Sequence, residues 1–158
     1  MKPRIRYLMI FFVLLGYGCD DRTDKIKQSE SVSQKGENSH FGTWEMVYFR
    51  SIWENDTTEI SGDGTPLAIT LLTPTHFSYQ WKNSSNSGAG TYTYDGKVIH
   101  QEFKYVQDSS FAGSILSFNM EIQNDSLIFS GPIEAKSATG EDILNQIPQM
   151  LEVRTRSK

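Results

Sequence analysis

Gly90-Thr91-Tyr92-Thr93-Tyr94-Asp95-Gly96-Lys97-Val98-Ile99-His100-Gln101-Glu102-Phe103-Lys104-Tyr105 is two alternating runs around an Asp-Gly pair. Asp-Gly tolerates the positive φ that a tight two-residue hairpin turn demands. The spacing therefore predicts Tyr94 opposite Lys97, Tyr92 opposite Ile99 and Gly90 opposite Gln101. In that register Tyr92, Tyr94, Ile99, Gln101, Phe103 and Tyr105 share an inner face, and Thr91, Thr93, His100, Glu102 and Lys104 face solvent.

The same period continues on both sides. Upstream, residues 75–82 alternate with Phe77, Tyr79 and Trp81 on one face, and the polar stretch 83–90 reads as a loop. Residues 67–72 are a short apolar run between the turn-rich stretch 61–66 and Pro74. In 43–53, Trp44, Met46, Tyr48, Arg50 and Ile52 form one face, and Glu45, Val47, Phe49, Ser51 and Trp53 the other. Downstream, Asn124-Asp125 predicts a second hairpin that pairs Ile122 with Leu127 and Met120 with Phe129. Its inner face is then Leu116, Phe118, Met120, Ile122, Leu127 and Phe129. Thr139 caps a short helix of one or two turns that Pro148 stops, and 150–156 resume an extended pattern able to close the sheet. There Arg154 and Arg156 share a side, while Leu151, Val153 and Thr155 compete for the core. The fold class is all-β.

The first residues belong to another process. Lys2, Arg4 and Arg6 precede a short apolar run, Tyr7 to Leu15, and Gly16-Tyr17-Gly18-Cys19 follows as a processing site. The run is far short of the ~20 residues of a membrane-spanning helix, so residues 1–18 read as an export signal. Cys19 is the only cysteine, which leaves no intramolecular disulfide. Its position resembles the lipid-accepting cysteine of bacterial lipoproteins, although Gly16 stands where such signals usually carry leucine. Lipidation of Cys19 would anchor the protein in the bacterial envelope, on the outer-membrane or periplasmic side. Ordinary cleavage after Gly18 would instead leave a soluble secreted protein. Residues 19–40 are polar, with too little apolar surface to offset ordering entropy, and read as a flexible tether to a domain spanning 41–158.

The chain carries a net charge of −4, and loss of residues 1–18 removes three basic residues and no acid, leaving −7. No basic stripe with interleaved aromatics offsets that balance, which argues against a nucleic-acid partner.

Three further stretches carry a family likeness: Gly42-Thr43-Trp44 at the start of the domain, Thr73-Pro74-Thr75-His76-Phe77 with the Tyr-rich hairpin, and the terminal Glu152-Val153-Arg154-Thr155-Arg156. Together they resemble the lipocalin-like (calycin) domains of uncharacterised bacterial secreted proteins and lipoproteins. The resemblance implies an antiparallel up-and-down β-barrel of about eight strands with one short helix before the last. It also implies a closed end where Trp44 lies under Arg156 as a cation–π cap. Two residues depart from the pattern: Arg154 replaces the usual tryptophan of the closing strand, and Gln101 stands where a glutamate is common.

The expected interior is rich in phenols, each of which needs a partner or costs roughly 1–3 kcal/mol when buried. Either these groups satisfy one another in a filled core, or they line a ligand cavity. For a cavity, the expected lining is Tyr48, Tyr79, Tyr92, Tyr94 and Phe103, with Arg50 and Gln101 as polar contacts to a small apolar or amphipathic molecule. The alternative is a filled barrel that meets a protein partner through loops 54–66 and 83–90, aided by an exposed Trp53 or Phe49. His40, His76 and His100 share neither a face nor metal-ligand spacing, so no metal or other cofactor is expected. No nucleophile has an activating base, and the chain does not read as an enzyme. An isomerase- or cyclase-type activity would need an ionisable pair inside the barrel, for which only the Arg50 neighbourhood offers a candidate. Asp56-Thr57-Thr58 and Asp125-Ser126-Leu127 match bacterial O-glycosylation sites but read first as turn chemistry.

Overall fold

The computed structural model describes residues 39–158, so the stretch expected to be an export signal, Cys19 and most of the segment expected to be a tether lie outside the described residues. Nine strands follow one another: β1 Gly42–Trp53, β2 Asp56–Ser61, β3 Ala68–Leu72, β4 His76–Trp81, β5 Ser87–Tyr94, β6 Val98–Val106, β7 Ile115–Gln123, β8 Ser126–Lys136 and β9 Gln149–Arg156. Consecutive strands pair antiparallel except β2 and β3, which both pair with β1, and β9 returns to β1 to close the ring. The result is an up-and-down barrel of eight strands with one additional strand.

The additional strand is β2. It pairs with the second half of β1 (Tyr48 to Trp53), whereas β3 pairs with the first half (Gly42 to Met46) on the same edge. The two act as one long strand interrupted by residues 62–67. That loop is tied back to β1 where the amides of Gly62 and Leu67 donate to Val47 O and Met46 O, at 2.9 and 2.8 Å.

Helical structure among the described residues consists of two single 3-10 turns, Ser109–Phe111 and Leu144–Gln146. The helix expected from Thr139 is therefore one turn that starts later. Gly140, at φ 86°, bends the chain into a tight turn instead, and the Asp142 carboxylate accepts the Leu144 amide at 2.9 Å.

The second hairpin has the expected register, with Met120 opposite Phe129 and Ile122 opposite Leu127. The first does not. Tyr94 faces Ile99, Tyr92 faces Gln101 and Gly90 faces Phe103, because Gly96-Lys97 rather than Asp95-Gly96 form the turn. Asp95 is drawn into the ladder, where its amide donates to Val98 O and its carboxylate accepts the Val98 and Lys97 amides at 2.6 and 2.8 Å. The slip is two residues, and side chains alternate with period two, so the inner face survives.

Bulges do change faces. On β6, Ala89 pairs with Tyr105 but Gly90 with Phe103, leaving Lys104 as an extra residue that turns Tyr105 outward to 77% exposure. Tyr105 is thus not an inner-face residue. Gly90 is required at this point, because a Cβ there would stand 1.9 Å from the Glu102 carbonyl oxygen. On β1 the register shifts between Met46 and Tyr48, beside the loop that separates β2 from β3. Trp44 and Met46 point inward, and after the extra residue Phe49 takes the inner phase.

Strand polarity gives the barrel two unlike ends. The β3–β4, β5–β6 and β7–β8 turns gather at one end, beneath a floor of fully buried Trp44, Met46, Leu72, Ile99, Met120 and Leu127. The long connections 82–86, 107–114 and 137–148 gather at the other. Each floor side chain contributes about 1.5–3 kcal/mol through burial.

Candidate functional site

The floor end is closed by the chain's own entry segment. The Trp44 indole N–H donates to His40 O at 2.8 Å, and the Arg156 guanidinium lies 4.4 Å from the Trp44 ring centroid. Arg156 also donates to Phe41 O at 3.1 Å and to Ser39 O. These bonds hold residues 39–41 across the barrel as a strap. The His40 ring packs on Tyr94 at 4.8 Å between centroids, and its Nε2 lies 3.1 Å from the Tyr92 hydroxyl. Burial lowers the His40 pKa, since the charged imidazolium loses hydration there.

Tyr92 and Tyr94 therefore point into the closed end rather than lining a ligand cavity. Tyr92 OH donates to Thr73 O at 2.5 Å, and Tyr94 OH to Met120 O at 3.3 Å. The physical reason is length: each phenol spans the floor and finds a backbone carbonyl on a strand or turn beyond it. Burial pushes the Tyr92 phenol up to about 12. Because this lies above the ~10 of an unfolded tyrosine, its contribution to stability is complete below about pH 10 and is lost as the pH rises through about 12. Phenolate absorbance of the folded protein is expected to show a late phase near pH 12 that Tyr92→Phe abolishes. A late phase unchanged in the variant would assign it to another tyrosine.

Tyr48 and Arg50 are displaced from the interior by the β1 bulge. Phe49 faces inward, edge-on to Trp81 at 4.9 Å, so its neighbours point out. The Tyr48 hydroxyl donates to Glu59 on β2, a bond that raises its pKa together with partial burial. Arg50 is paired with the same Glu59 position in the register. Phe49 is consequently no docking residue, whereas Trp53 is 42% exposed.

Above the floor the barrel is hollow. A cavity of about 300 Å³ is walled by Phe49, Phe77, Tyr79, Trp81, Phe103, Phe118, Phe129 and Met150, with Asn86 and Pro148 at its rim. It is continued at the loop end by a depression of about 290 Å³ past Phe111 and Ile147. Of the expected site residues, Tyr79, Gln101 and Phe103 meet here. The Tyr79 hydroxyl donates to Asn86 Oδ1 at 3.3 Å, and burial, then Glu152, raises its pKa.

The polar pole of the cavity comes from β9. Period two puts Met150, Glu152 and Arg154 on one face, and that face is the inner one, so Leu151, Val153 and Thr155 lie outside. Arg154 is only 6% exposed, forms an ion pair with Glu152, and stacks 4.6 Å from the Phe129 centroid. Its Nε and the hydroxyl of Thr70, which is 2% exposed, have no hydrogen-bond partner among the described residues. Gln101 borders the same cavity at 8% exposure. The ionisable pair inside the barrel is thus Glu152–Arg154 and not one built on Arg50. Sequence reasoning had the signal for it, two charges two residues apart in a closing strand, but the apolar alternate residues concealed the phase.

A larger depression, about 700 Å³, lies on the outside of the wall over Ser78, Ala89 and Gly90, bordered by Leu71 and Tyr105. It forms because Ala89 and Gly90 project little beside the Lys104 bulge. The interior cavity is the better site, since only there do buried polar groups converge on an enclosed apolar space. Among the described residues no three His, Cys, Asp or Glu side chains come together as a metal site would require. Compared with known proteins, the chain matches no family model, no curated protein and no solved structure.

Proposed function

We propose that this protein is a binding protein of the bacterial envelope, taking one small amphipathic or apolar molecule into its barrel through the loop end. In this it would act as a lipocalin-like carrier, anchored to a membrane through a lipid on Cys19. The observation that carries the reading is the 300 Å³ aromatic cavity with Arg154, Thr70 and Gln101 at its inner pole. Small barrels can be filled by side chains, but this one leaves space above its floor at the low end of the usual ligand-pocket range. The ligand's apolar body would occupy the aromatic walls, and its polar end would meet groups that otherwise lack partners.

Native mass spectrometry tests the reading. The Cys19→Ser protein, exported by a bacterial host and purified without detergent, is expected to carry a reproducible extra mass that disappears on denaturation. Bare protein before and after denaturation, with no gain in mass on exposure to envelope lipid extracts, would refute a carrier role.

The anchor has a separate test. An alkyne-tagged fatty acid fed to cells is expected to label the wild-type chain, which sediments with membranes, and not Cys19→Ser. Unlabelled wild-type protein in the soluble fraction would establish ordinary secretion instead.

A further inference from the structure

We infer that the cavity selects a ligand whose head group is uncharged, such as an amide, ester or hydroxyl on an apolar body, and that Glu152 excludes carboxylates; this rests on the binding reading above. Among the described residues, Glu152 and Arg154 are the only charged side chains that border the cavity, and they neutralise one another. Arg154 therefore offers no spare positive charge. Its partner is 14% exposed, and one face of its guanidinium is covered by Phe129.

A carboxylate entering this pole would bring the enclosed site to a net charge of minus one. It could reach the free guanidinium nitrogen only beside Glu152, against the repulsion of a second carboxylate, or by displacing Glu152, which would leave that carboxylate unpaired in a poorly hydrated space. A neutral head leaves the pair intact. Gln101 can both donate and accept, and the unpartnered Thr70 hydroxyl and Arg154 Nε bound the same end of the cavity. An amide or hydroxyl can complete such a set; a carboxylate, which only accepts, suits it less and adds repulsion from Glu152.

The space also limits the body of the ligand. About 300 Å³ corresponds to the volume of roughly ten water molecules. That is room for a fused-ring or short-chain body, and a longer chain would have to run on into the depression at the loop end.

The test uses isosteric pairs that differ only in the head group, a neutral amide with N–H donors against an accepting carboxylate: naphthamide with naphthoate, and decanamide with decanoate. Each is titrated calorimetrically near neutral pH into the Cys19→Ser protein and into the same protein with Glu152→Gln, folding being checked by circular dichroism. The amides are expected to bind at least about tenfold tighter than the carboxylates. In Glu152→Gln, which retains a hydrogen-bond acceptor but frees the Arg154 charge, the carboxylates should gain about tenfold relative to the amides. Equal or tighter carboxylate binding by the protein that retains Glu152 would overturn the inference while leaving a carrier function standing, and would do so even if Glu152→Gln failed to fold. A folded Glu152→Gln protein with an unchanged ratio would overturn it as well. Failure of all four probes to bind would overturn the inferred head-group selectivity, while the carrier reading stands or falls on the native mass spectrum.

Discussion

Glu152→Ala is expected to lower the free energy of unfolding by about 3–5 kcal/mol, the cost of leaving a buried partner charge uncompensated. Arg154 cannot escape to water: it is 6% exposed, and its register neighbours are the floor residues Met46 on β1 and Leu127 on β8. Phe129 supplies a cation–π contact worth about 2 kcal/mol when desolvated, which is already present in the pair and does not replace the lost counter-charge. Removing the charge as well should reverse the effect. In Glu152→Ala/Arg154→Met the site becomes an apolar core, and most of the lost stability is expected to return, because a buried pair exchanged for apolar side chains is often neutral or stabilising. Urea unfolding of the two single variants and the double variant measures the cycle. A single variant that loses under about 1 kcal/mol, with no recovery in the double, would mean that water entering through the loop end hydrates the guanidinium.

Trp44→Ala is expected to cost a further class of large loss, about 3–5 kcal/mol for an aromatic side chain removed from a packed core. The indole is fully buried and does three things at once. It fills the floor, it donates to His40 O, and its face receives Arg156. The variant should therefore also release the strap formed by residues 39–41, which hydrogen exchange at Phe41 and limited proteolysis would report. Trp44→Phe separates the roles: most of the packing remains but the donor is lost, so about 1–2 kcal/mol is expected, the cost of the unmet His40 carbonyl and some volume. If alanine and phenylalanine were equally tolerated, the closed end would owe its integrity to the strand ladder alone.

The interior on β5 through β8 was legible before any coordinates. Tyr92, Ile99, Gln101, Phe103, Leu116, Phe118, Met120, Leu127 and Phe129 are all buried as their alternation predicts. This held even where the turn register was misjudged, because a slip of two residues preserves parity. The candidate site was less legible. Tyr79, Gln101 and Phe103 border the cavity, but Tyr92 and Tyr94 serve the closed end, and Tyr48 and Arg50 lie outside the wall. Phe49, Glu152 and Arg154 take the positions that those residues were expected to fill.

Alternation is a local property, so the residues of single strands were enough to mark this domain as antiparallel β, to place its two hairpin turns to within a residue and to name most of the side chains that line β5 to β8. Which face β1 and β9 present could be decided only by the tertiary structure. A bulge adds one residue and inverts every side chain beyond it, and on β1 its place is set by the neighbouring edge, where β2 leaves off and β3 begins. On β9 both faces carry residues able to be buried, and the apolar one lost. The inner face opens on a cavity in which Glu152 and Arg154 neutralise each other and Phe129 covers the cation. Phe129 comes from the neighbouring strand β8, where it pairs with Glu152, and the rest of the aromatic wall comes from strands farther round the barrel, so no reading of β9 alone contains the cavity that the pair faces.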